Sequence, residues 1–366
     1  MNKPAQNRID FGLEGIVAAQ TCLSDVRGAA GELIICGRSI EDLAGVISYE
    51  HAVAFLLQTV QPDLTEGDVC EGLAAARCAV TSVLPCLKAA PADLSEIELI
   101  RLGLDALPMA DGTPEALQII GAIHTLLAAA VRIKAGKSLP EPNRHLSCTE
   151  DLLTMLRGHA PKQMEVDSLE RYLVTILDHG LNASTFAARV IASTGSDMRS
   201  AVSGAIGALK GPLHGGAPGP VLDMLDAIGR PENTDSWIEK ELAKGNRLMG
   251  FGHRVYRTRD PRADVLKEGL KRLKALGASV SHAEEIEAAA LEALARHKPD
   301  RPLDTNVEFY TAVLLNAIGI DRKLFTPLFA AGRAAGWCAH VLEQQQKGRL
   351  IRPSSEYIGQ DPANRP

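Results

Sequence analysis

Apolar positions recur at spacings of three and four residues along most of the chain, the period of an amphipathic helix. Leu43–Val60 and Asp68–Leu87 carry this pattern, and Pro91-Ala-Asp93 marks the start of another helix. In Thr113-Pro114-Glu115 a proline follows a capping threonine, so a helix is predicted from Pro114 to Lys134. Its apolar run, Ile119–Val131, is interrupted by His124, is too short to span a bilayer and reads as a buried helix. Two prolines and an asparagine make Ser138–Cys148 a loop. Helical periodicity resumes over Leu152–Gly158, Ser168–His179, Ser184–Ile191 and Asp197–Lys210. Glycine-rich turns follow at 211–219 and 250–252, and a second helical block runs from Trp237 to His297. After the loop Lys298–Pro302, helices are predicted over Val307–Ile318 and Pro327–Gln346. Only Glu32–Cys36, flanked by glycines, has the character of a strand. No period of 20–50 residues repeats, which excludes a solenoid. The expectation is an all-α protein with more than a dozen helices.

Composition sharpens that picture. Hydrophobic residues make up 46% of the 366 positions and aromatics only 4%, so the core must be built from Ala, Leu, Ile and Val. Such a core suits closely packed helices better than sheets. The 39 Lys and Arg against 45 Asp and Glu give a net charge of -6, which argues against a dedicated nucleic-acid binder. Met1–Phe11 is polar and lacks the apolar region of a secretory signal, and no membrane role is expected. Seven scattered cysteines without a CxxC pair fit a reducing, cytoplasmic compartment. Cys70, Cys78 and Cys86 lie eight apart, near one helix face, and are expected to be small core residues.

Three segments are chemically loaded. Leu177-Asp-His-Gly-Leu-Asn-Ala-Ser-Thr185 places His179 in a polar turn before a helix. Lys210-Gly-Pro-Leu-His-Gly-Gly-Ala217 encloses His214 in glycines, which allow a ligand to approach the main chain closely. Met249-Gly-Phe-Gly-His-Arg-Val-Tyr256 carries His253 and leads to Asp260-Pro-Arg262. The histidine spacing matches no HExxH or Cys/His metal motif, and no metal is expected. Neither glycine segment matches a phosphate-binding P-loop or a strand-borne GxGxxG. Between Arg254 and Lys274 there are eight Lys or Arg and three Asp or Glu, a local +5 within an acidic chain. Arg254, Arg257 and Arg262 sit in or just after the glycine–histidine turn, where guanidinium forks can bind carboxylates or phosphates. Arg333 lies among small residues in Ala-Gly-Arg-Ala-Ala-Gly-Trp337, and Arg352 follows in Arg349-Leu-Ile-Arg-Pro353. Histidines that move protons near neutral pH, together with carboxylate-holding arginines, suit chemistry on a small anionic carbonyl compound.

The ordered set LDHGLNASTFAARV, GPLHGGA, GFGHRVYRTRDPRA, NVEFY, LFTPLFAAGRAAGWCAHVLEQ and RLIRPSSEYIG resembles the citrate synthase family, which includes 2-methylcitrate synthases. Gly12-Leu-Glu-Gly-Ile-Val-Ala-Ala19, Gly31-Glu-Leu-Ile and Ser39-Ile-Glu-Asp-Leu43 extend the likeness toward the N-terminus. The resemblance implies a cytoplasmic homodimer of all-α subunits. Each would have a large domain (1–214 and 320–366) and a small domain (215–319) that closes over the substrates. It implies condensation of an acyl-CoA, acetyl-CoA first, with oxaloacetate, and no cofactor beyond the coenzyme A thioester that is itself a substrate. By motif position His214 would stabilise the enol of the acyl-CoA, and His253 would polarise and protonate the ketone. Arg262, Arg333 and His179 would hold oxaloacetate carboxylates, and Arg352 would reach the neighbouring subunit's site. Gly250, Phe251, Gly252, Arg254 and Arg257 would lie along coenzyme A.

Three positions depart from the family pattern. The family's catalytic aspartate, in Asn-Val-Asp-Phe-Tyr, is Glu308 in Asn306-Val-Glu-Phe-Tyr310. The extra methylene advances the carboxylate by about 1 Å, a displacement able to change a rate roughly 10²-fold. The usual His-Gly-Gly-Ala-Asn-Glu is His214-Gly-Gly-Ala-Pro-Gly219, which replaces a polar pair by a residue suited to start a helix. Cys36 stands where many members have an arginine before the glycine, removing a phosphate contact. These changes leave open a catalytically weakened paralogue that binds oxaloacetate or CoA in a regulatory role, or a 2-methylcitrate synthase using propionyl-CoA.

Overall fold

The structure, a computed structural model, describes residues 12, 13, 15–215, 218–274, 281–299 and 303–360. The predictions for Met1–Phe11 lie outside the described residues. Among those described, fifteen α-helices and one three-stranded antiparallel sheet are formed. The all-α expectation holds, with the sheet as an addition. Its strands are Ser24–Arg27, Glu32–Ile35 and Arg38–Ser39. The second was predicted. The first escapes notice because its four residues alternate only between exposed and half-buried positions, leaving little hydrophobic signal.

The helix Glu115–Lys134 is apolar on nearly every face because it is surrounded. Every residue from Ala116 to Ala130 is buried, with Glu66–Ala79, Glu96–Ala106, Cys148–Arg157 and Phe325–Lys347 packed around it. Helix Phe325–Lys347 is almost as enclosed, from Phe325 to Val341, and also touches Gln163–Thr175, Ala183–Ala192 and Met198–Leu209. These two long helices form the centre of the core. Around the C-terminal half of the chain, Pro218–Ile228 and Pro261–Lys274 pack on Val307–Ala317, and Thr234–Ala243 packs on Ser281–His297. Pro261–Lys274 also lies on Gln163–Thr175 and so joins this group to the rest.

Local chemistry sets several boundaries. Leu43–Val60 is not one helix: a turn runs through 44–47, with Gly45 at φ +77°, and Ser48 then caps Tyr49–Gln58 through the His51 N–H. Thr65 and Asp68 form a reciprocal capping box that starts Glu66–Ala79 two residues before the predicted point. That helix gives way to a 3₁₀ turn over Val80–Val83 before Leu84–Ala89. The cysteine expectation fails here. Cys70 and Cys86 are exposed and Cys78 is half-buried. The buried face of the helix runs through Val69, Leu73 and Ala76, beside Cys70 rather than through it, and the 3₁₀ turn shifts the phase before Cys86.

Candidate active site

Glycines and backbone hydrogen bonds fix the His253 loop. Gly250 (φ +85°) and Gly252 (φ +79°) adopt left-handed conformations, and a Cβ on Gly250 would sit 2.9 Å from that of Phe309. The Gly252 N–H donates to Asp304 O (2.7 Å), the Asn306 N–H to Gly250 O (2.9 Å), and the Asn306 amide to Gly252 O (2.7 Å). Asn306 also caps helix Val307–Ala317 by accepting from the Glu308 N–H at 3.0 Å. One asparagine therefore ties the His253 loop to the helix turn that bears Glu308.

The tautomer of His253 follows from its contacts. Nδ1 accepts from the backbone N–H groups of Val255 (3.0 Å) and Tyr256 (3.1 Å), so the proton of the neutral ring sits on Nε2. Burial, reinforced by the Arg262 charge, pushes His253 down to about 4, which keeps it neutral at physiological pH. Nε2 lies 3.3 Å from Arg262 Nη2, donor facing donor, an arrangement that an oxygen acceptor between them would relieve. Arg262 itself is buried and held by Asp260 through a bidentate pair at 3.0 and 2.9 Å. Burial opposes the guanidinium charge most strongly, but Asp260, Tyr256 and Glu308 together outweigh it and raise the pKa. Asp260 also accepts the Val307 N–H at 3.0 Å, so the same carboxylate anchors the helix of Glu308.

Arg333 is the counterpart with no ion pair among the described residues, its main electrostatic support being Asp178. It is 1% exposed, its Nε donates to Ile176 O at 2.6 Å, and its Nη2 has no hydrogen-bond partner. Burial lowers it to about 10, still charged at neutral pH. The small residues around it serve contact: a Cβ on Gly336 would come within 2.4 Å of Leu177 O. His179 is buried beside these cations, with Nε2 3.1 Å from the Tyr256 hydroxyl. Burial first, then Arg262, Arg333 and His253, hold it well below the usual histidine range. Desolvation drives the Glu308 carboxyl up to about 7, with Asp260 adding to the rise while Arg262 and Arg333 oppose it. A carboxylate titrating near the working pH is matched to a general base.

His214 approaches from the other side. Asn182 caps helix Ala183–Ala192 by accepting the Ser184 and Thr185 N–H groups, which places Ser184 against the imidazole. A backbone N–H can only donate, and that of Ser184 points at His214 Nε2 (3.3 Å), leaving Nδ1 to carry the proton. The Ser184 hydroxyl lies 2.9 Å from the same nitrogen and accepts from the Trp337 indole N–H at 3.1 Å. Burial and then Arg333 push His214 down to about 4. Its ring and the Arg333 guanidinium both face Phe329, at 6.4 and 4.8 Å from the ring centroid. Three neutral histidines, one elevated carboxyl and two buried guanidinium groups thus share a single site.

A family model described as citrate synthase, C-terminal domain, matches residues 12–354. The chain belongs to the citrate synthase family. A citrate synthase of Haloferax volcanii is 38% identical over 367 residues, covering 95% of each chain. The putative citrate synthase 2 of Mycobacterium tuberculosis is 48% identical over 214 residues, and that match spans 58% of this chain and 57% of the relative. The solved ternary complex of carboxymethyl coenzyme A and oxaloacetate with the citrate synthase of Thermoplasma acidophilum shares the fold at a TM-score of 0.85 and 27% identity, over 96% of both chains. The all-α citrate synthase fold anticipated from the motifs is the one observed.

Of the residues singled out by sequence, His179, His214, His253, Arg262, Glu308 and Arg333 come together in this citrate synthase fold. Gly250, Phe251 and Gly252 form the loop beside them. Arg254 and Arg257 are exposed, and Arg352 is exposed in the segment 348–360 that follows the last helix. Sequence reasoning gave no role to Ser184, Tyr256, Asp260 or Trp337. Asp260 had a local signal, since it stands two residues from an arginine in Asp-Pro-Arg, whereas Ser184 and Trp337 meet across 153 residues.

Beneath the site lies a second polar cluster, also buried. Arg189 Nη1 can only donate, and it reaches His340 Nδ1 at 2.7 Å, so His340 Nε2–H points to Asp178 (3.3 Å). Arg189 also pairs with Glu343 at 2.6 Å and with Gln344 at 3.1 Å. Asp178 accepts from Ser24 and from the Gly180 N–H, which fixes the turn next to His179. Desolvation opposes its charge, yet His340, Arg333 and Ser24 together hold its carboxyl below the usual range.

Proposed function

We propose that this member of the citrate synthase family condenses an acyl-CoA with oxaloacetate, acetyl-CoA being the expected donor, and hydrolyses the citryl-type thioester to release CoA. The observation that carries this reading is the buried Arg333 with its unpartnered Nη2, facing neutral histidines and the elevated Glu308. A buried guanidinium without a carboxylate is costly unless a ligand supplies one. Oxaloacetate offers two carboxylates, for Arg333 and Arg262 with His179 beside them, and a ketone oxygen for His253 Nε2–H.

Glu308 takes the proton from the acyl carbon, and His214 Nδ1–H donates to the thioester oxygen as charge develops there. The carbon nucleophile attacks the ketone carbon, whose oxygen takes a proton from His253. Water then cleaves the thioester.

Residues 215–319 act as a small domain that closes on a large domain formed by 1–214 and 320–366. The mutual packing of the helices between Pro218 and Ala317 supports this division. Gly250, Phe251, Gly252, Arg254 and Arg257 lie along coenzyme A. The segment 348–360 leaves the subunit with Arg352, Tyr357 (78% exposed) and Ile358 (92% exposed) uncovered, which supports a homodimer in which Arg352 completes the neighbour's site. Such a protein works in the cytoplasm.

The test is free-CoA release from acetyl-, propionyl- and longer acyl-CoA, with and without oxaloacetate. Release that requires oxaloacetate is expected, fastest with acetyl-CoA. A faster rate with propionyl-CoA would reassign the donor. No release with any donor, alongside intact oxaloacetate binding, would overturn the enzymatic reading in favour of a binding protein.

A further inference from the structure

A cavity of about 280 Å³ lies away from the cluster above, between the Gly45–Ser48 turn and helix Gln163–Thr175 on one side and helix Pro261–Lys274 on the other. Its charges are matched unevenly. Two acids line it, and both have partners. Glu170 accepts the Tyr49 N–H (3.2 Å) at the start of helix Tyr49–Gln58, where a negative charge is favoured, and Asp167 accepts the Gln163 amide at 2.8 Å. Two arginines also line it. Arg171 is 8% exposed and spends only Nη1, on the carbonyls of Ala44 (3.2 Å) and Val265 (3.3 Å). Among the described residues no ion pair reaches Arg171 or Arg272, and Arg272 stands exposed at the rim.

The fold makes room for this buried guanidinium from both sides. A Cβ on Gly45 would sit 2.1 Å from Arg171 Cζ, and one on Gly269 would sit 2.7 Å from Arg171 Cδ. A side chain at either glycine would force the Arg171 side chain to move. Burial first and then the neighbouring Arg272 disfavour its charge, and Glu268 and Asp167 only partly offset them. A buried cation held between two glycines, next to a second cation and with no carboxylate in ion-pair contact among the described residues, suits an anion.

We propose that this cavity binds the phosphate group of a small metabolite between Arg171 and Arg272. Two guanidinium groups suit a tetrahedral dianion, each able to offer paired donors to its oxygens. The bound group bridges the Gly45–Ser48 turn and helix Pro261–Lys274, so its occupancy bears on how those two parts of the chain sit together. Binding itself does not depend on the reaction proposed above.

The probe is inorganic phosphate, titrated calorimetrically into the full chain and into Arg272→Gln, Arg171→Gln and Arg257→Gln. Arg272→Gln, at an exposed position, is expected to weaken phosphate by about tenfold or more while leaving phosphate-free turnover unchanged. Arg171→Gln should weaken it further, and Arg257→Gln, outside the cavity, should leave it unchanged. Hydrogen exchange locates the site: phosphate should slow exchange at residues 45–48 and 265–272 in the unaltered chain and not in Arg272→Gln. Equal affinity in Arg272→Gln and the unaltered chain, loss of binding in Arg257→Gln, or no detectable phosphate binding would each overturn the proposal.

Discussion

Two buried polar clusters lie back to back in this protein, and they handle charge in opposite ways. In the lower one, Asp178 faces His340 and Arg189 faces Glu343, Gln344 and His340, so each charge meets an opposite charge or an aligned hydrogen bond. In the upper one, Arg333 Nη2 has no partner, Glu308 is driven up to about 7, and His214 and His253 are held down at about 4. Apart from Asp178 Oδ1, which has no hydrogen-bond partner among the described residues, the lower cluster is matched internally and acts as a foundation. The upper cluster is complete only with a substrate, and its unmet needs describe that substrate: carboxylates for guanidinium groups, an oxygen acceptor for His253, and an acidic carbon for Glu308. Local rules are broken where function requires it and kept where the scaffold must hold.

The contrast can be broken by substitution. The largest effect is expected at Glu308. Glu308→Gln should lower turnover by about 10³-fold, within the range for loss of a general base, and leave oxaloacetate affinity largely intact in calorimetry. Glu308→Asp sharpens this: a rise in acetyl-CoA turnover would show that the longer side chain detunes the site.

Next in size is the lower cluster. Arg189→Met should cost about 3–5 kcal/mol in chemical denaturation, because it strands the buried Glu343 and removes the donor that fixes His340.

The third effect is on pH. Glu308 must be ionised to accept a proton, so kcat/KM should rise as pH passes upward through about 7. His214 and His253, already neutral well above about 4, should add no limb near pH 6.5. Stability carries the opposite sign for Glu308. A group whose folded pKa is raised stabilises the fold fully below its ordinary value of 4.5 and loses that contribution as pH rises through about 7. Glu308→Gln should therefore remove a decline in stability between those limits. The histidines behave conversely, contributing above 6.5 and losing that contribution as pH falls through about 4.

The smallest effect is at Ser184. Ser184→Ala keeps the backbone N–H on His214 Nε2 but removes the hydroxyl and its link to Trp337, and should lower kcat by about tenfold with KM for oxaloacetate unchanged.

Much of this was legible in the sequence, for identifiable reasons. Helix Glu115–Lys134 announced itself because burial on all sides leaves a long apolar run, interrupted only at His124 and Thr125. The six residues that meet in the site stood in ordered motifs, so their assembly could be anticipated from resemblance. What sequence could not show depends on long-range contact. Glu308 can be seen to replace an aspartate, but its elevated pKa arises from burial and from Asp260, against the opposing pull of Arg262 and Arg333, all brought together in space. Arg171 reads as one charged residue on a helix, and only packing reveals Gly45 and Gly269 pressed against it from distant parts of the chain. Cys86 misled because an eight-residue spacing marks one helix face only while the helix continues, and this one changes phase at Val80–Val83, whereas Cys70 lies beside the buried face of its own helix.

Arg333→Gln, measured twice, separates the two clusters most directly. By titration with oxaloacetate its affinity should fall by about 10²-fold, and in denaturation without ligand its stability should stay within about 1 kcal/mol of the unaltered chain, since no ion pair is broken. If instead Arg333→Gln binds oxaloacetate normally and unfolds as readily as Arg189→Met, Arg333 belongs to the scaffold and the upper cluster is not built around a substrate.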